Sequence, residues 1–323
     1  MRKFSIFALA VLLLALTAAV EAKDTYVKAG ADGNGTKEQP YGQLWRALDR
    51  AVRGDVIHVA AGTYEGKGGS GSFLIKVPDL TLVGGYNDDF SERNPFKNFT
   101  TLQRAKDYKG DWTGLPDGIV AGKEGSDHSG FIIDGFVLDS KTRNVYSADG
   151  KLNAKETWKG KMADFSKTNI VMRNCVLLNP YNVALYGAWQ GEKNEISNCF
   201  VINAFYTGIS TRSAQPNSKT LIKNCTVSFM WDRPGMGGGT ACFVGRQGQT
   251  ILQDNIFMFT KEYAVSNTFG NEDTIMKGCV FWQTEQGYYK FMDMDNKSLI
   301  IWKSTELEDL NENPEDYMLW EAE

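Results

Sequence analysis

A short pattern that recurs six times between residues 131 and 281 limits what this chain can fold into. A turn-forming Asn or Gly holds the same place in each copy: Gly135, Asn174, Asn198, Asn224, Asn255 and Gly278. The next residue is apolar in every copy: Phe136, Cys175, Cys199, Cys225, Ile256 and Cys279. A second apolar position follows two residues later: Leu138, Leu177, Val201, Val227, Met258 and Phe281. Each copy therefore predicts two short strands with a corner between them, because Asn and Gly tolerate the tight backbone that a corner needs.

A strand–corner–strand unit of this kind cannot bury its apolar side alone, so the copies must stack on one another. Stacked strands lie about 4.8 Å apart, which would place equivalent corner residues directly above each other. The corner asparagines could then form a ladder of side-chain hydrogen bonds. The sequence predicts an all-β chain folded as a parallel β-helix, a solenoid.

The position between the two apolar ones does not follow simple strand alternation. It holds Val137, Val176, Phe200, Thr226, Phe257 and Val280, where alternation predicts polar residues. Two interpretations stay open: a loop covers this face, or the face is an exposed apolar strip that meets a partner.

All five cysteines lie in the second half of the chain, and four of them share one repeat position. We expect a stack of buried, reduced thiols, since free cysteine behaves as a small hydrophobic residue. One disulfide remains the alternative for an exported protein. Only two histidines are present, so a multi-histidine metal site is excluded.

The two ends of the chain differ from the repeat region. Residues 1–22 combine a basic start with an apolar run and predict a cleaved signal peptide, hence a secreted, periplasmic or cell-surface protein. We treat residues 23–300 as one β-helix domain, with a capping helix over Gln43–Arg53. Residues 301–323 carry eight acidic side chains and are expected to be an acidic tail or a cover for the end of the solenoid. No segment after the signal peptide is long and apolar enough for a transmembrane anchor.

Together these features resemble the right-handed parallel β-helix proteins of the pectate-lyase-like superfamily, which have three strands per coil and an asparagine ladder. The segments Thr25–Thr36 and Asp55–Tyr64 are similar to the entry segment of exported β-helix proteins. Gly84-Gly-Tyr86, followed by Arg93-Asn-Pro95, is similar to a further element of that group.

The resemblance implies a ligand groove on one sheet and on the loops that lead into it. In this chain the corresponding segments follow each second apolar run. The candidate substrate-binding residues there are Tyr186, Trp189, Tyr206, Trp231, Asp232, Glu262, Tyr263 and Tyr288. The candidate catalytic residues are Arg212, Arg233, Arg246 and Lys290. Aromatic rings stack on sugar faces and guanidinium groups bind carboxylates, so the mixture favours an acidic polysaccharide, although packing over an outer sheet is the alternative.

Glycoside hydrolysis needs two carboxylates a few ångströms apart, and the nearest candidates, Asp232 and Glu262, are isolated in the sequence. The resemblance implies β-elimination instead, with Arg or Lys as the base and a second cation on the uronate carboxylate. In the family that cation is commonly calcium or another Arg. The sequence shows no clear calcium-ligand cluster, so we expect no cofactor, and calcium stays open as the alternative. Residues 32–36 lack the spaced acids of a calcium loop and predict a turn. A net charge of −4 argues against nucleic acid as a partner.

Two functions therefore remain. The first is a secreted β-helix protein that binds an extracellular acidic polysaccharide and cleaves it, if at all, by β-elimination. The second is a non-catalytic surface, matrix or adhesin-like solenoid. The sequence leaves the substrate and the oligomeric state open.

Overall fold

The computed structural model describes residues 22–67, 71–105, 118–140, 160–165, 167, 169–187, 190–212, 214–232, 237–295 and 297–302. Within these ranges the chain winds into coils that contribute one strand to each of three sheets. Nearly all neighbouring strands are parallel, and the next strand of each sheet comes one coil later in the sequence. The chain is a right-handed parallel β-helix, as the sequence predicted.

Each sheet runs along the solenoid axis. Sheet one contains β1 (Asp24–Val27), β2 (Val56–Ala60), β5 (Thr81–Tyr86), β8 (Ile132–Asp134), β11 (Val171–Arg173), β14 (Asn194–Ser197), β17 (Lys219–Lys223), β20 (Gln249–Gln253) and β23 (Thr274–Lys277). Sheet two contains β4 (Phe73–Ile75), β7 (Val120–Gly122), β10 (Ala163–Phe165), β13 (Val183–Gly187), β16 (Thr207–Ser210), β19 (Thr240–Phe243), β22 (Tyr263–Asn267), β25 (Gly287–Asp293) and the antiparallel β26 (Ser298–Trp302). Sheet three contains β3 (Gly62–Glu65), β6 (Thr100–Gln103), β9 (Val137–Asp139), β12 (Val176–Leu178), β15 (Phe200–Phe205), β18 (Thr226–Trp231), β21 (Ile256–Thr260) and β24 (Val280–Thr284).

The corner between sheets one and three is a column of residues in the left-handed backbone region. Asn174, Asn198 and Asn224 have φ values of 53°, 52° and 52°. They follow Arg173, Ser197 and Lys223, which pair in register along sheet one, so the three asparagines stack as predicted. Their side chains form one rung of a ladder, in which Asn198 Nδ2 donates to Asn174 Oδ1 at 3.3 Å.

The predicted register was wrong by one residue in the coil that contains β20 and β21. Asp254, with φ of 53°, occupies the corner, and Asn255 takes the buried position that cysteine holds in neighbouring coils. As a result Phe257 points into the core, while Ile256 is on the outside. Asp tolerates the left-handed region nearly as well as Asn, so turn propensity alone could not separate the two.

The core is a continuous column of apolar side chains enclosed by the three sheets. It includes the thiols of Cys175, Cys199, Cys225 and Cys279 at equivalent positions, and Cys242 elsewhere in the core. All five cysteines are free and buried, which matches the predicted reduced stack. Burial raises the pKa of the Cys199 thiol well above its usual value, because a thiolate would be poorly solvated there.

A single turn of helix, α1 (Leu44–Leu48), lies near the N-terminal end of the solenoid and contacts β1 and β4. Its Leu44, Ala47 and Leu48 belong to the core, so it packs on the apolar interior as predicted. The helix is shorter than the predicted Gln43–Arg53, because the backbone leaves the helix after Asp49 and Asp55 receives hydrogen bonds from the Val52 and Lys23 amides.

Both termini of the sequence lie outside the described residues. The predicted signal peptide falls at residues 1–22, of which only the last is described, and most of the acidic segment 301–323 is likewise outside. In the described part of the chain, no helix is long and apolar enough to cross a membrane.

Candidate functional site

The candidate residues lie along both edges of sheet two. Arg212 follows β16, Arg246 follows β19 and Lys290 lies within β25. Tyr206 and Trp231 lie at the opposite edge, where the chain enters the sheet. Arg233 and Trp189 fall outside the described residues.

At the exit edge two of the predicted arginines meet around one aromatic ring. The Arg212 guanidinium carbon lies 5.8 Å from the centroid of the Phe269 ring, and that of Arg246 lies 5.3 Å from the same centroid. Arg212 is also 5.8 Å from the Phe243 ring, which packs edge-on against Phe269 at 5.9 Å. We call these four residues the arginine cluster.

The arginine cluster is positively charged, and no acidic residue in the described part of the chain neutralises it. Both guanidinium groups belong to exposed residues, and neither forms an ion pair with any described residue. Lys290, on a neighbouring coil of the same sheet, likewise has no acidic partner among the described residues, and its ammonium lies 4.7 Å from the Tyr263 ring centroid. Cations on aromatic rings keep their charge without neutralising it, so the edge offers uncompensated positive charge.

One outward-facing row of side chains connects these residues along sheet two. Strand registers align the row as Leu74, Ala121, Asp164, Tyr186, Ser210, Phe243, Ser266 and Lys290. The residues that precede the row in β16 and β19, Ile209 and Cys242, are buried in the core, as alternation along a strand requires. Adjacent members lie about 4.8 Å apart, so the row, which we call the track, runs straight along the solenoid axis. Five members are half-buried, and Ala121, Ser210 and Ser266 are buried.

Near the middle of the row the charge is balanced. The Lys161 ammonium lies 3.9 Å from the Tyr186 ring centroid and donates to Asp164 Oδ2 at 2.8 Å. Tyr186 therefore shares its predicted face with the arginine cluster, through the register with Ser210.

At the entry edge, the polar groups of Trp231 and Glu262 form hydrogen bonds with other groups of the protein. Trp231 Nε1 donates to Asn203 Oδ1 at 2.9 Å. Glu262 accepts hydrogen bonds from the Gly238 amide and the Thr240 hydroxyl, so its carboxylate holds the loop that precedes β19. Asp232 is half-buried beside this loop.

The two edges cannot form a single compact site. Tyr206 and Arg212 are separated by six residues of extended chain, which span about 20 Å. The structure thus places Arg212 and Arg246 together at the exit edge, beside the track that contains Tyr186 and Lys290, and leaves Tyr206, Trp231, Asp232 and Glu262 at the other edge.

Two predicted aromatic residues are buried. Tyr288 is 4% exposed and packs against Phe281 within the core, so a ligand on the outside of the solenoid would not reach it. Tyr263 is 6% exposed, and burial raises the pKa of its hydroxyl.

Sequence reasoning missed Phe269, on which both arginines converge. It lies in the loop after β22, outside the repeat, and no periodic pattern marks it. A second amide ladder was also missed: Asn203 Nδ2 donates to Asn179 Oδ1 at 2.6 Å, one coil away. The left-handed φ values of Asn179 and Asn203 mark a second corner, within the strand run of sheet three.

A separate apolar surface covers the C-terminal half of sheet three. It consists of six exposed side chains, which we call the apolar strip: Phe200, Phe229, Ile256, Phe259, Val280 and Trp282. Phe229 and Phe259 stack with a centroid distance of 4.9 Å, and both have left-handed φ values of 58° and 53°. A bulky residue in that region is strained by about 1 kcal/mol or more. Of the six residues between the two apolar repeat positions, Phe200 and Val280 are exposed and belong to this strip, Val176 and Thr226 are half-buried, and Val137 and Phe257 are buried, so the predicted strip is exposed only in part.

No group of three or more His, Cys, Asp or Glu side chains in the described ranges could hold a metal ion. Calcium therefore stays without a ligand set in this part of the chain.

Comparisons with known proteins give a family match and remote structural likenesses. Residues 28–91, less than a quarter of the chain, match a family described as "Protein of unknown function (DUF1565)". No curated protein matches the chain.

Similar solved structures include two lyases and a glycosidase. A rhamnogalacturonan lyase is 13% identical, with a TM-score of 0.47 over 79% of this chain and 73% of its own. The pectate lyase Pel9A is 12% identical, with a TM-score of 0.41 over 85% and 76%. A lacto-N-biosidase from Eubacterium ramulus is 10% identical, with a TM-score of 0.35 over 88% and 70%. At such identities the assignment of the fold rests on the sheet topology described above.

Proposed function

We propose that the protein binds an acidic polysaccharide along the outer row of sheet two, with Arg212 and Arg246 as the main ligands for its carboxylate or sulfate groups. The observation that carries the proposal is the convergence on Phe269 of these two guanidinium groups, which have no acidic partner in the described part of the chain.

The chemistry of the arginine cluster suits such a ligand. A guanidinium group presents parallel N–H donors that match the two oxygens of a carboxylate, and stacking on a ring limits its motion before the ligand arrives. Arg212 and Arg246 belong to successive coils, so their charges act on one short segment of polymer. Lys290, two strands beyond Phe243, adds a third cation about 10 Å further along the track.

The proposal concerns binding of the polysaccharide and does not include its cleavage. β-Elimination would need a base next to the group that neutralises the uronate carboxylate. The arginine cluster provides the neutralising groups, and Arg212, Arg246 and Lys290 remain the candidates for the base. Cleavage is tested in the same experiment as binding.

Affinity electrophoresis and calorimetry with polygalacturonate, alginate and heparin, against neutral xylan, would test the proposal. We expect Arg212→Ala and Arg246→Ala each to weaken binding about tenfold, as the loss of one charge-assisted contact predicts. Lys219→Ala, which removes an exposed cation from sheet one, serves as the control and should bind like the parent.

The ultraviolet absorbance of unsaturated uronate products would reveal cleavage in the same samples. Equal retention of acidic and neutral polymers, or unchanged binding by both arginine variants, would overturn the proposal.

The apolar strip favours a second candidate function, a self-associating surface or matrix protein. Its six exposed side chains are large and apolar, and exposed apolar patches of this kind mark interaction surfaces. This candidate predicts concentration-dependent association, measured by light scattering, that Phe229→Ser and Trp282→Ser abolish and Arg212→Ala leaves intact. A monomer at all concentrations would exclude it.

A further inference from the structure

A cavity of about 180 Å³ lies at the N-terminal end of sheet two, between α1 and β4. Its lining includes the Trp45 ring, the apolar side chains of Leu48 and Leu74, and the charged groups of Asp49, Lys67 and Lys76. A water molecule takes about 30 Å³ in the liquid, so the cavity holds about six waters, the space of one monosaccharide rather than a larger ligand.

The charged side chains that line the cavity are one carboxylate and two ammonium groups. Asp49 accepts from Lys67 Nζ at 2.9 Å through one carboxylate oxygen and from Lys76 Nζ through the other. These hydrogen bonds, first from Lys67 and then from Lys76, hold the pKa of Asp49 below its usual value, so its carboxylate stays ionised. The Asp49 carboxylate thus bridges two ammonium groups in the wall of the cavity.

The polar and aromatic groups are arranged as a small acidic sugar would require. Lys67 Nζ lies 4.7 Å from the centroid of the Trp45 ring, so a flat aromatic surface and a cation adjoin each other. The Lys76 ammonium has three N–H donors and places one of them on Asp49. Its other donors can serve the oxygens of a ligand.

The position of the cavity connects it to the arginine cluster. Leu74, in its lining, is the first residue of the outer row that leads through Tyr186 to Ser210 and Phe243. Four strand spacings separate Leu74 from Ser210, a distance of about 19 Å. A polymer bound at the arginine cluster and following the row toward the N-terminus would reach the cavity.

We propose that this cavity is a second subsite, which holds one carboxylated sugar residue of the polysaccharide bound on sheet two. Lys67 and Lys76 bind the carboxylate, and the Trp45 ring packs against the sugar face. The inference rests on the proposed function and adds a ligand class and a location to it.

Two binding points about 19 Å apart on one rigid face make affinity depend on ligand length. An oligogalacturonide long enough to reach both should bind at least about tenfold more tightly than a dimer, which can occupy only one. Calorimetry with a length series of oligogalacturonides, from the dimer to the decamer, measures this difference.

The variant Lys76→Met isolates the subsite. It should weaken decamer binding about tenfold and leave dimer binding at the arginine cluster unchanged. Lys76→Arg, which keeps both the charge and the ion pair with Asp49, should retain most of the affinity. A merely structural role of Lys76 would lower the affinity for dimer and decamer alike, so a loss confined to the decamer separates ligand binding from the ion pair with Asp49. Lys97→Met removes an exposed lysine outside sheet two and is the matched control.

Outcomes for the cavity and for the arginine cluster are distinguishable. Decamer binding that Arg212→Ala weakens and Lys76→Met leaves unchanged would overturn the second subsite while the proposed function stands. Binding of monomeric galacturonate, but not galactose, that is lost in Lys76→Met and retained in Arg212→Ala would support the subsite even if the arginine cluster failed. If Lys76→Met unfolds the protein, Trp45→Leu provides the same comparison, and its unchanged decamer affinity would refute the subsite.

Discussion

Asp134, the last residue of β8, has a buried carboxylate that three side chains contact. Its side chain is buried and accepts hydrogen bonds from Arg173 Nε and Asn174 Nδ2, each at 2.8 Å, and from Arg93. Arg93 in turn donates to the Gly84 carbonyl at 2.9 Å. One carboxylate thus links a loop and two successive coils of sheet one.

Burial alone would raise the pKa of Asp134, but the hydrogen bonds from Asn174 and Arg173 and the charge of Arg93 outweigh it and hold the pKa below its usual value. A depressed folded-state pKa stabilises the fold above the unfolded value of about 3.9, and this contribution disappears as the pH falls through the folded value. Asp134→Asn should therefore lower the free energy of unfolding by about 3 kcal/mol at neutral pH and flatten its acid dependence.

Urea denaturation at a series of pH values below 6 would measure both effects. Asp32→Asn removes a fully exposed carboxylate and should leave the curve within about 0.5 kcal/mol of the parent. Parallel acid profiles for Asp134→Asn and the parent would contradict the assignment.

Single residues also show why the candidate site could be predicted only in part. The cationic side chains at this edge were recognisable, since Arg212 and Arg246 follow strands of the solenoid and Lys290 lies within one. Phe269 could not be identified, because it is brought to the arginines by a loop whose path no local pattern specifies. Tyr288 could not be placed either, because its strand belongs to sheet two but its ring turns into the core.

At the scale of the coil, the cysteine column provides a test of how the corner is built. Each thiol donates to the carbonyl two residues earlier, as Cys199 Sγ does to Ser197 O at 3.2 Å. In the β20–β21 coil Asn255 replaces the cysteine. Its amide accepts from the Cys225 amide at 2.9 Å and donates to the Ile222 carbonyl at 2.8 Å, both in the preceding coil.

Asn255→Ala should lower the free energy of unfolding by about 2 kcal/mol, because it leaves two buried backbone groups without a partner. Asn255→Cys should cost less, since a thiol there can donate to the carbonyl two residues earlier, as in the other coils. Urea denaturation of the two variants measures the difference, and equal losses would show that the backbone hydrogen bonds of Asn255 contribute little.

The strand–corner–strand unit was predictable from the sequence because one steric requirement, a left-handed corner residue, repeats in every coil. The slip at Asn255 had a different origin. Two adjacent residues both satisfied the corner, and only the buried hydrogen bonds to the preceding coil decide between them. This register also decides which side chains of β21 face outward: Ile256 lies in the apolar strip and Phe257 in the core.

For the whole molecule, the distribution of charge along the sequence is uneven. Residues 303–323 contain eight acidic and one basic side chain, a net charge of −7. Since the complete chain has a net charge of −4, all residues before position 303 together carry +3. The negative balance of the protein thus belongs to its last segment, and the part that contains sheet two is positive.

This distribution predicts an unusual salt dependence for binding of an acidic polysaccharide. At about 0.1 M salt, charges interact over about 10 Å, so a polymer on sheet two interacts mainly with the nearby arginines. At about 0.01 M salt the range is about 30 Å, and the negative net charge of the protein also repels the polymer. The affinity of the parent protein for the polysaccharide should therefore be highest at intermediate ionic strength.

A full-length variant with all eight acidic residues of the last segment changed to amides should bind more tightly at each reduction of the salt concentration, and about fivefold better than the parent at about 0.01 M salt. Calorimetry with an oligogalacturonide across this range measures both curves, and coincident curves would mean that the last segment exerts no field on sheet two.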